Sequence, residues 1–262
     1  MKNNLKGCVG IIARLGSKRL EDKHLMVING QPIISYLIQR IKNEFFQETS
    51  GNHLEIFILT GEQKKNQKLV KLAEDYKISS YCGHDNNIPI RMNELVTNMD
   101  FDFIISVDGD DILCAPEGMR QVYNSIKKGN NFIKTTSYPF GMNSMGMSKM
   151  FLKNSLDNFK NIETRNVETG WGWVFDEDKC MLIDGGYPKD ERLRFTLDYL
   201  DDFNFFNKII LSDLDITSVK TKIIIDHVII NRVYSENMYL NTEYWKNFNK
   251  QQSEEIKGTN NA

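Results

Sequence analysis

The stretch Gly10-Ile11-Ile12-Ala13-Arg14-Leu15-Gly16-Ser17-Lys18-Arg19-Leu20-Glu21-Asp22-Lys23 decides the fold. The apolar run Val9 to Ala13 reads as a buried strand. It breaks into a loop that carries Arg14, Lys18, Arg19 and Lys23 around Gly16 and Ser17, and a helical pattern begins near Pro32. Strand, basic glycine loop and helix is an arrangement that receives phosphates in an α/β sheet. Gly16 lets the backbone turn toward an anion, and N–H groups and cationic side chains then hold it. Neither G-x-x-x-x-G-K-[ST] nor G-x-G-x-x-G is present in this stretch, so a P-loop and the usual dinucleotide fold are not supported.

Working outward, Ile34, Leu37, Ile38, Ile41 and Phe45 form a helical stripe, and Leu54 to Thr60 is a dense apolar run ending at Thr60-Gly61. Leu69, Leu72, Ala73 and Tyr76 give another helix, followed by a short strand from Ile78 to Cys82. This β-α-β-α-β alternation predicts an α/β protein with a Rossmann-like, doubly wound, mostly parallel sheet and a small appended subdomain. Ligands in such sheets sit at the carboxyl ends of the strands. That rule places Arg14–Lys23, Thr60-Gly61 and the segment after Cys82 along one rim.

Phe101 to Val107 reads as a fourth buried strand, closed by Asp108-Gly109-Asp110-Asp111. Carboxylates at a strand's end, opposite a basic loop, suit a magnesium–triphosphate, because hard oxygen ligands hold the ion and the ion bridges to phosphate oxygens. Met119, Val122, Tyr123 and Ile126 predict a helix and Asn131 to Thr136 a fifth strand. Met145-Gly146-Met147 reads as plastic packing. Glu163 to Trp173 reads as a loop whose two tryptophans suit an acceptor pocket or a subunit contact, the contact being preferred. Leu193 to Leu197 predicts a strand that carries Asp198 to the rim. Ile216 to Val233 predicts a helix, and residues 251–262 a polar, frayed tail.

The first loop resembles the N-terminal signature of the cytidylyltransferase family, approximately I-I-[PQ]-A-R-x-x-S-x-R-L-P-x-K. Ala13, Arg14, Gly16, Ser17, Arg19, Leu20 and Lys23 match, while Ile12 stands for Pro or Gln and Glu21-Asp22 for Pro-Gly. Two carboxylates beside Lys23 are expected to offset part of its charge. Cys82 to Met92 is similar to the family's R-G-S-x-x-D-V-L-x-R-Y loop, with Gly83 and Arg91 kept. Asp108 to Glu117 resembles Q-G-D-x-P-L-I-x-P-E, and Leu193 to Phe203 resembles L-R-[LF]-T-[VL]-D-T-P-E-D-[LF]. Tyr138-Pro139-Phe140-Gly141-Met142 is similar to the Y-P-x-G-L of the family's spore-coat polysaccharide branch.

The resemblance implies CMP transfer from CTP to an acidic or phosphorylated acceptor, such as a sugar acid, a sugar or polyol phosphate or a phospho-amino acid. Pyrophosphate is released, and a role in capsule or surface-glycan synthesis is implied. It assigns Arg14, Arg19 and Lys23 to catalysis, Ala13, Gly16, Ser17, Lys18, Thr60, Gly83, Arg91 and Asp108 to nucleotide binding, and Asp110 and Asp198 to magnesium. The expected organisation is one nucleotidyltransferase domain over residues 1–250, with residues 138–190 as the acceptor and dimerisation region, in a homodimer.

A chain of 262 residues with 40% hydrophobic and 26% charged residues suits one soluble α/β core. A net charge of −2 gives no reason to expect a nucleic-acid or anionic-membrane partner. The four cysteines are dispersed without metal-ligand spacing, so reduced thiols are expected. The short N-terminal apolar run does not suit a secretory signal, and the cytoplasm is the expected compartment. Two alternatives stand beside cytidylyl transfer. Asp108-Gly109-Asp110 also fits the D-x-D of a metal-dependent glycosyltransferase, and a non-catalytic nucleotide-binding protein would share the fold.

Overall fold

The computed structural model describes residues 5 to 258. The chain opens with β1 (Gly7–Ile12) and reaches α1 (Ile34–Glu44) through the basic loop and a small hairpin, β2 (Val27–Ile28) and β3 (Gln31–Pro32). It continues through α2 (Phe46–Ser50), β4 (Leu54–Thr60), α3 (Gln63–Asp75), β5 (Ser79–Cys82), α4 (Ile88–Asn98), β6 (Phe103–Asp108), α5 (Pro116–Lys127) and β7 (Phe132–Thr136). Then come β8 (Met145–Ser148), α6 (Lys149–Asp157), β9 (Met181–Asp184), α7 (Leu200–Ile210), α8 (Thr221–Ile230) and α9 (Leu240–Lys257).

Seven strands form one sheet in the order β5-β4-β1-β6-β8-β7-β9. All pairings are parallel except those of β8, which runs antiparallel to β6 and β7. Every residue of β1 is buried, as expected for a strand covered on both faces. Side chains alternate across a strand, so Val9 and Ile11 join α1, α3 and α5 in one core layer. Cys8 and Ile12 join α4, α6 and the Trp171–Phe175 segment in the other. A third cluster unites Ile112 and Leu113 with Leu193, Phe195, Leu197, α7 and α8, and forms the appended part of the molecule.

The methionine-rich segment packs as expected and does so as a strand, β8: Met147 enters the core, and Gly146 lets α5 approach, since a Cβ there would lie 2.3 Å from Val122 Cγ1. Three expectations are corrected. Leu193 to Leu197 is extended but joins the sheet nowhere. Its backbone bonds instead to Phe140 O and Asp110 O, and it is buried on both sides. The helix expected over 216–233 starts only at Thr221, because Asp215 caps a turn through Thr217 and Ser218 that Arg40 grips at Ile216 O and Val219 O.

The polar tail is largely α9. Its last described turns are helical and pack, with Glu255 only 1% exposed; residues 259–262 lie outside the described residues. No helix among the described residues is long and apolar enough to cross a membrane, and the four cysteines are free thiols.

Candidate active site

β1 and β6 are in register so that Ile12 pairs with Asp108, which brings the basic loop and the acidic turn to the same carboxyl rim. Ala13 is buried there and donates its N–H to Leu59 O at 3.2 Å. Gly16 has φ +85°, a left-handed conformation that only glycine adopts freely, so the chain reverses at that point. Ser17 Oγ accepts the Leu20 N–H, and Lys18 is exposed.

Lys23 is buried in a short 3-10 turn. Its ammonium bridges the two aspartates assigned to the metal: 2.7 Å to Asp110 Oδ2 and 3.1 Å to Asp198 Oδ1. Arg19 also pairs with Asp198. Burial opposes the charge on Asp198, but Lys23, Arg19 and Arg194 outweigh it and hold the carboxyl at about 2. Burial likewise disfavours the Lys23 ammonium, and the two aspartates more than reverse that effect. Asp22 does not compete for this lysine. Its carboxylate turns away to Lys68 on α3, at 2.6 Å, so the expected offset from Asp22 is absent.

Asp198 is fixed from behind by a residue that sequence reasoning passed over. Arg194, fully buried, donates to Asp198 at 3.1 Å and to both oxygens of Asp202 at 2.8 and 3.1 Å. Asp202 Oδ2 also accepts the N–H groups of Asp198 and Tyr199, which closes the first turn of α7. Asn237 completes the shell at Asp202 Oδ1. Leu193-Arg194 stood inside the quoted motif, so the signal was present, but its role depends on burial that no spacing displays.

A second cluster surrounds Glu168, which the sequence left in an unassigned loop. Its carboxylate takes Arg14 Nε at 3.1 Å and Arg91 Nη2 at 3.0 Å. Arg91 is fully buried and also donates to His84 O and Asp85 O, so it closes the loop after Gly83. Gly83 N bonds to Thr60 O, at the end of β4, and the Thr60 hydroxyl is buried without a partner among the described residues. Glu255, on α9, accepts the N–H groups of Glu168 and Thr169 at 3.0 and 2.9 Å. The segment expected to be frayed thus anchors the site.

Asp108 sits between the clusters and accepts the indole N–H of Trp171 at 3.4 Å. Trp171 is buried within its own chain and against the site. Burial and the neighbouring Asp110 push the Asp108 carboxyl up to about 7, and burial followed by Asp110 and Asp108 raises Asp111 well above the ordinary range. Carboxylates raised in this way lack counter-charge. Asp108, Asp110, Asp111 and Asp198 are hard oxygen donors suited to a divalent cation. Among the described residues no three acidic, histidine or cysteine side chains already converge as a metal-binding group.

Residues 9–166 match the sequence profile of the cytidylyltransferase family. An uncharacterized protein of Methanocaldococcus jannaschii is 24% identical over 224 residues, 83% of this chain and 88% of that one. A cytidylyltransferase from Leptospira borgpetersenii superposes with a TM-score of 0.76 at 18% identity, covering 89% of this chain and 98% of that one. A CMP:2-keto-3-deoxy-manno-octonic acid synthetase solved with CTP superposes at 0.55 with 12% identity, over 80% of this chain and all of that one. A 4-diphosphocytidyl-2C-methyl-D-erythritol synthase from Anaerococcus prevotii superposes at 0.53 with 12% identity, over 79% and 99%. With the family profile spanning more than half of its length, the chain belongs to the cytidylyltransferase family and is a CTP-dependent nucleotidyltransferase.

Proposed function

We propose that the enzyme transfers CMP from CTP to an oxygen of a small acidic or phosphorylated acceptor, with magnesium as cofactor. The acceptor oxygen attacks the α-phosphorus, the bond to the β-phosphate oxygen breaks, and pyrophosphate leaves with the electron pair. Where the acceptor is a hydroxyl, its proton passes to water. Gly16, Ser17 and Lys18 present backbone and charge to the triphosphate, and Arg14, Arg19 and Lys23 stabilise the charge that develops on pyrophosphate. Ala13, Thr60, Gly83, Arg91 and Asp108 enclose the nucleoside side. Asp110 and Asp198 would hold magnesium, which supplies neutralisation of phosphate charge when bound.

The observation that carries this reading is the meeting of Arg19 and Lys23 with Asp110 and Asp198 in one cluster around the buried Lys23 and Asp198, although the aspartates are distant in sequence. In the state described, the cations are satisfied by carboxylates. A triphosphate with its metal would exchange partners: phosphates for the cations and the ion for the aspartates. Family membership weighs against the D-x-D glycosyltransferase and the non-catalytic alternatives. A role in surface-glycan synthesis, a homodimer and a cytoplasmic location belong to the same proposal. The test is pyrophosphate release with CTP, magnesium and a panel of acceptors. Release that requires CTP, an acceptor and a divalent ion supports the reading; consumption of a UDP-sugar without pyrophosphate overturns it.

A further inference from the structure

We infer that Tyr244, on α9, is a positioning residue of the reaction: its ring braces Arg19, which meets the departing pyrophosphate, and Arg194, which fixes Asp198. This rests on the cytidylyl-transfer reading. Tyr244 lies outside residues 9–166, the part of the chain that matches the family profile. Its role therefore has to be argued from its neighbours.

Arg19 supplies the first argument. Its guanidinium carbon lies 5.7 Å from the ring centroid of Tyr199 and 5.7 Å from that of Tyr244. Both distances fall within the ~6 Å over which a cation is drawn to an aromatic ring. Its carboxylate partner is Asp198, which the proposed exchange hands to magnesium. The rings take no part in that exchange. They keep the guanidinium in place while its ionic partner changes from carboxylate to phosphate. The Arg19 side chain is long and 35% exposed, so without them its rotamers would be free to spread.

Arg194 supplies the second. Its guanidinium carbon stands 4.5 Å from the Tyr244 centroid and 5.4 Å from that of Phe140. Nε and Nη2 go to Asp202 and Asp198, which leaves Nη1 buried with no hydrogen-bond partner among the described residues. A ring lying over the guanidinium compensates such an N–H and its charge. Arg19 donates to one oxygen of Asp198 and Arg194 to the other, so Tyr244 lies against both arginines that set this carboxylate. Phe140, at 5.1 Å, and Phe248, stacked at 5.8 Å, hold the Tyr244 ring in turn.

The test uses the full chain and probes that need no acceptor: CTP, inorganic pyrophosphate and CMP, each titrated with magnesium present. Pyrophosphate reports on the cations of the triphosphate site and CMP on the nucleoside side. Tyr244→Leu should weaken pyrophosphate and CTP binding roughly tenfold, inside the roughly two- to thirtyfold span of a cation–π contact, and leave CMP binding within a factor of about two. Tyr244→Phe keeps the ring and should bind all three probes like the parent. Trp245→Leu removes the neighbouring ring of the same helix and should also bind like the parent. In an Arg19→Ala background, Tyr244→Leu should weaken pyrophosphate binding by less than about threefold, because the group it braces is gone. Tyr244→Met takes the place of Tyr244→Leu where the latter does not fold.

An equal loss for CMP in Tyr244→Leu overturns the proposal, since it would mark a general loosening of the fold. A loss that persists in full without Arg19 overturns it as well. If the parent binds CTP and pyrophosphate and Tyr244→Leu binds them equally well, the transfer reading stands and Tyr244 has no part in it. A parent that binds neither CTP nor pyrophosphate brings down the transfer reading and this inference with it.

Discussion

The Lys23 ammonium and the Asp198 carboxylate, 175 residues apart in sequence, lie 3.1 Å apart in a part of the molecule closed to water. Asp110 shares the same ammonium at 2.7 Å. In a low-dielectric site each member of this triad depends on the others, because a buried charge without its partner is costly. That dependence makes the functional reading open to direct experiment.

Lys23→Met should lower kcat by roughly 10²–10³-fold, the loss typical when one preorganised charge donor is removed from a transition state. Asp22→Asn should leave turnover within a factor of about two, because Asp22 faces Lys68 and its pair is a surface one. Steady-state pyrophosphate release measures both. A strong defect in Asp22→Asn would contradict the partition of charges described here.

Asp110→Asn should raise the magnesium concentration needed for half-maximal activity, and a chelator should abolish turnover of the parent enzyme. The carboxylate is one of the hard oxygen donors at the site, and an amide is a weaker ligand for magnesium. A magnesium titration unchanged in Asp110→Asn would remove this residue from the metal shell.

Asp202→Ala should cost about 3–5 kcal/mol of folding stability, read by denaturant unfolding. It would leave the Arg194 guanidinium with a vacated partner and the Asp198 and Tyr199 N–H groups unpaired in a buried site. Asp202→Asn keeps the size and loses the charge, so a smaller loss is expected there. Equal stability in all three proteins would show that this network does not hold α7.

Glu255→Ala should raise the KM for CTP several-fold with a smaller change in kcat. The variant strands the N–H groups of Glu168 and Thr169, at about 1–3 kcal/mol, and loosens the carboxylate that seats Arg14 and Arg91. An unchanged KM would limit α9 to packing.

Acid should destabilise the protein through His24. Burial, followed by Lys23, lowers its imidazole from 6.5 to about 4, so the folded state binds fewer protons than the unfolded state between those values. Stability is therefore retained above about pH 6.5 and falls as pH drops toward 4, by up to about 1.4 kcal/mol per pH unit. Asp198 adds a lower window: its pKa is depressed from 3.8 to about 2, and its contribution is lost as pH falls through that range. In His24→Gln the melting temperature should decline less between pH 6.5 and 4. Parallel profiles for the two proteins would refute the assignment.

The sequence by itself determined the nucleotide half. β1, β4 and β6 are nearly unbroken apolar runs, as parallel strands covered on both faces require, and the basic and acidic stretches follow β1 and β6 at their ends. Tertiary structure alone decided how the remaining residues serve the site. Glu168, Arg194 and Glu255 are ordinary charges in sequence, and only their burial beside distant partners gives them a role. Leu193 to Leu197 has the look of a strand, yet its bonding partners are a loop and a turn. The tail has no apolar run to announce it, and α9 forms because Tyr244, Trp245 and Phe248 pack with one another and Phe140 joins Tyr244 and Trp245. Periodicity records which face of an element is covered; which distant charge waits there depends on how the whole chain packs.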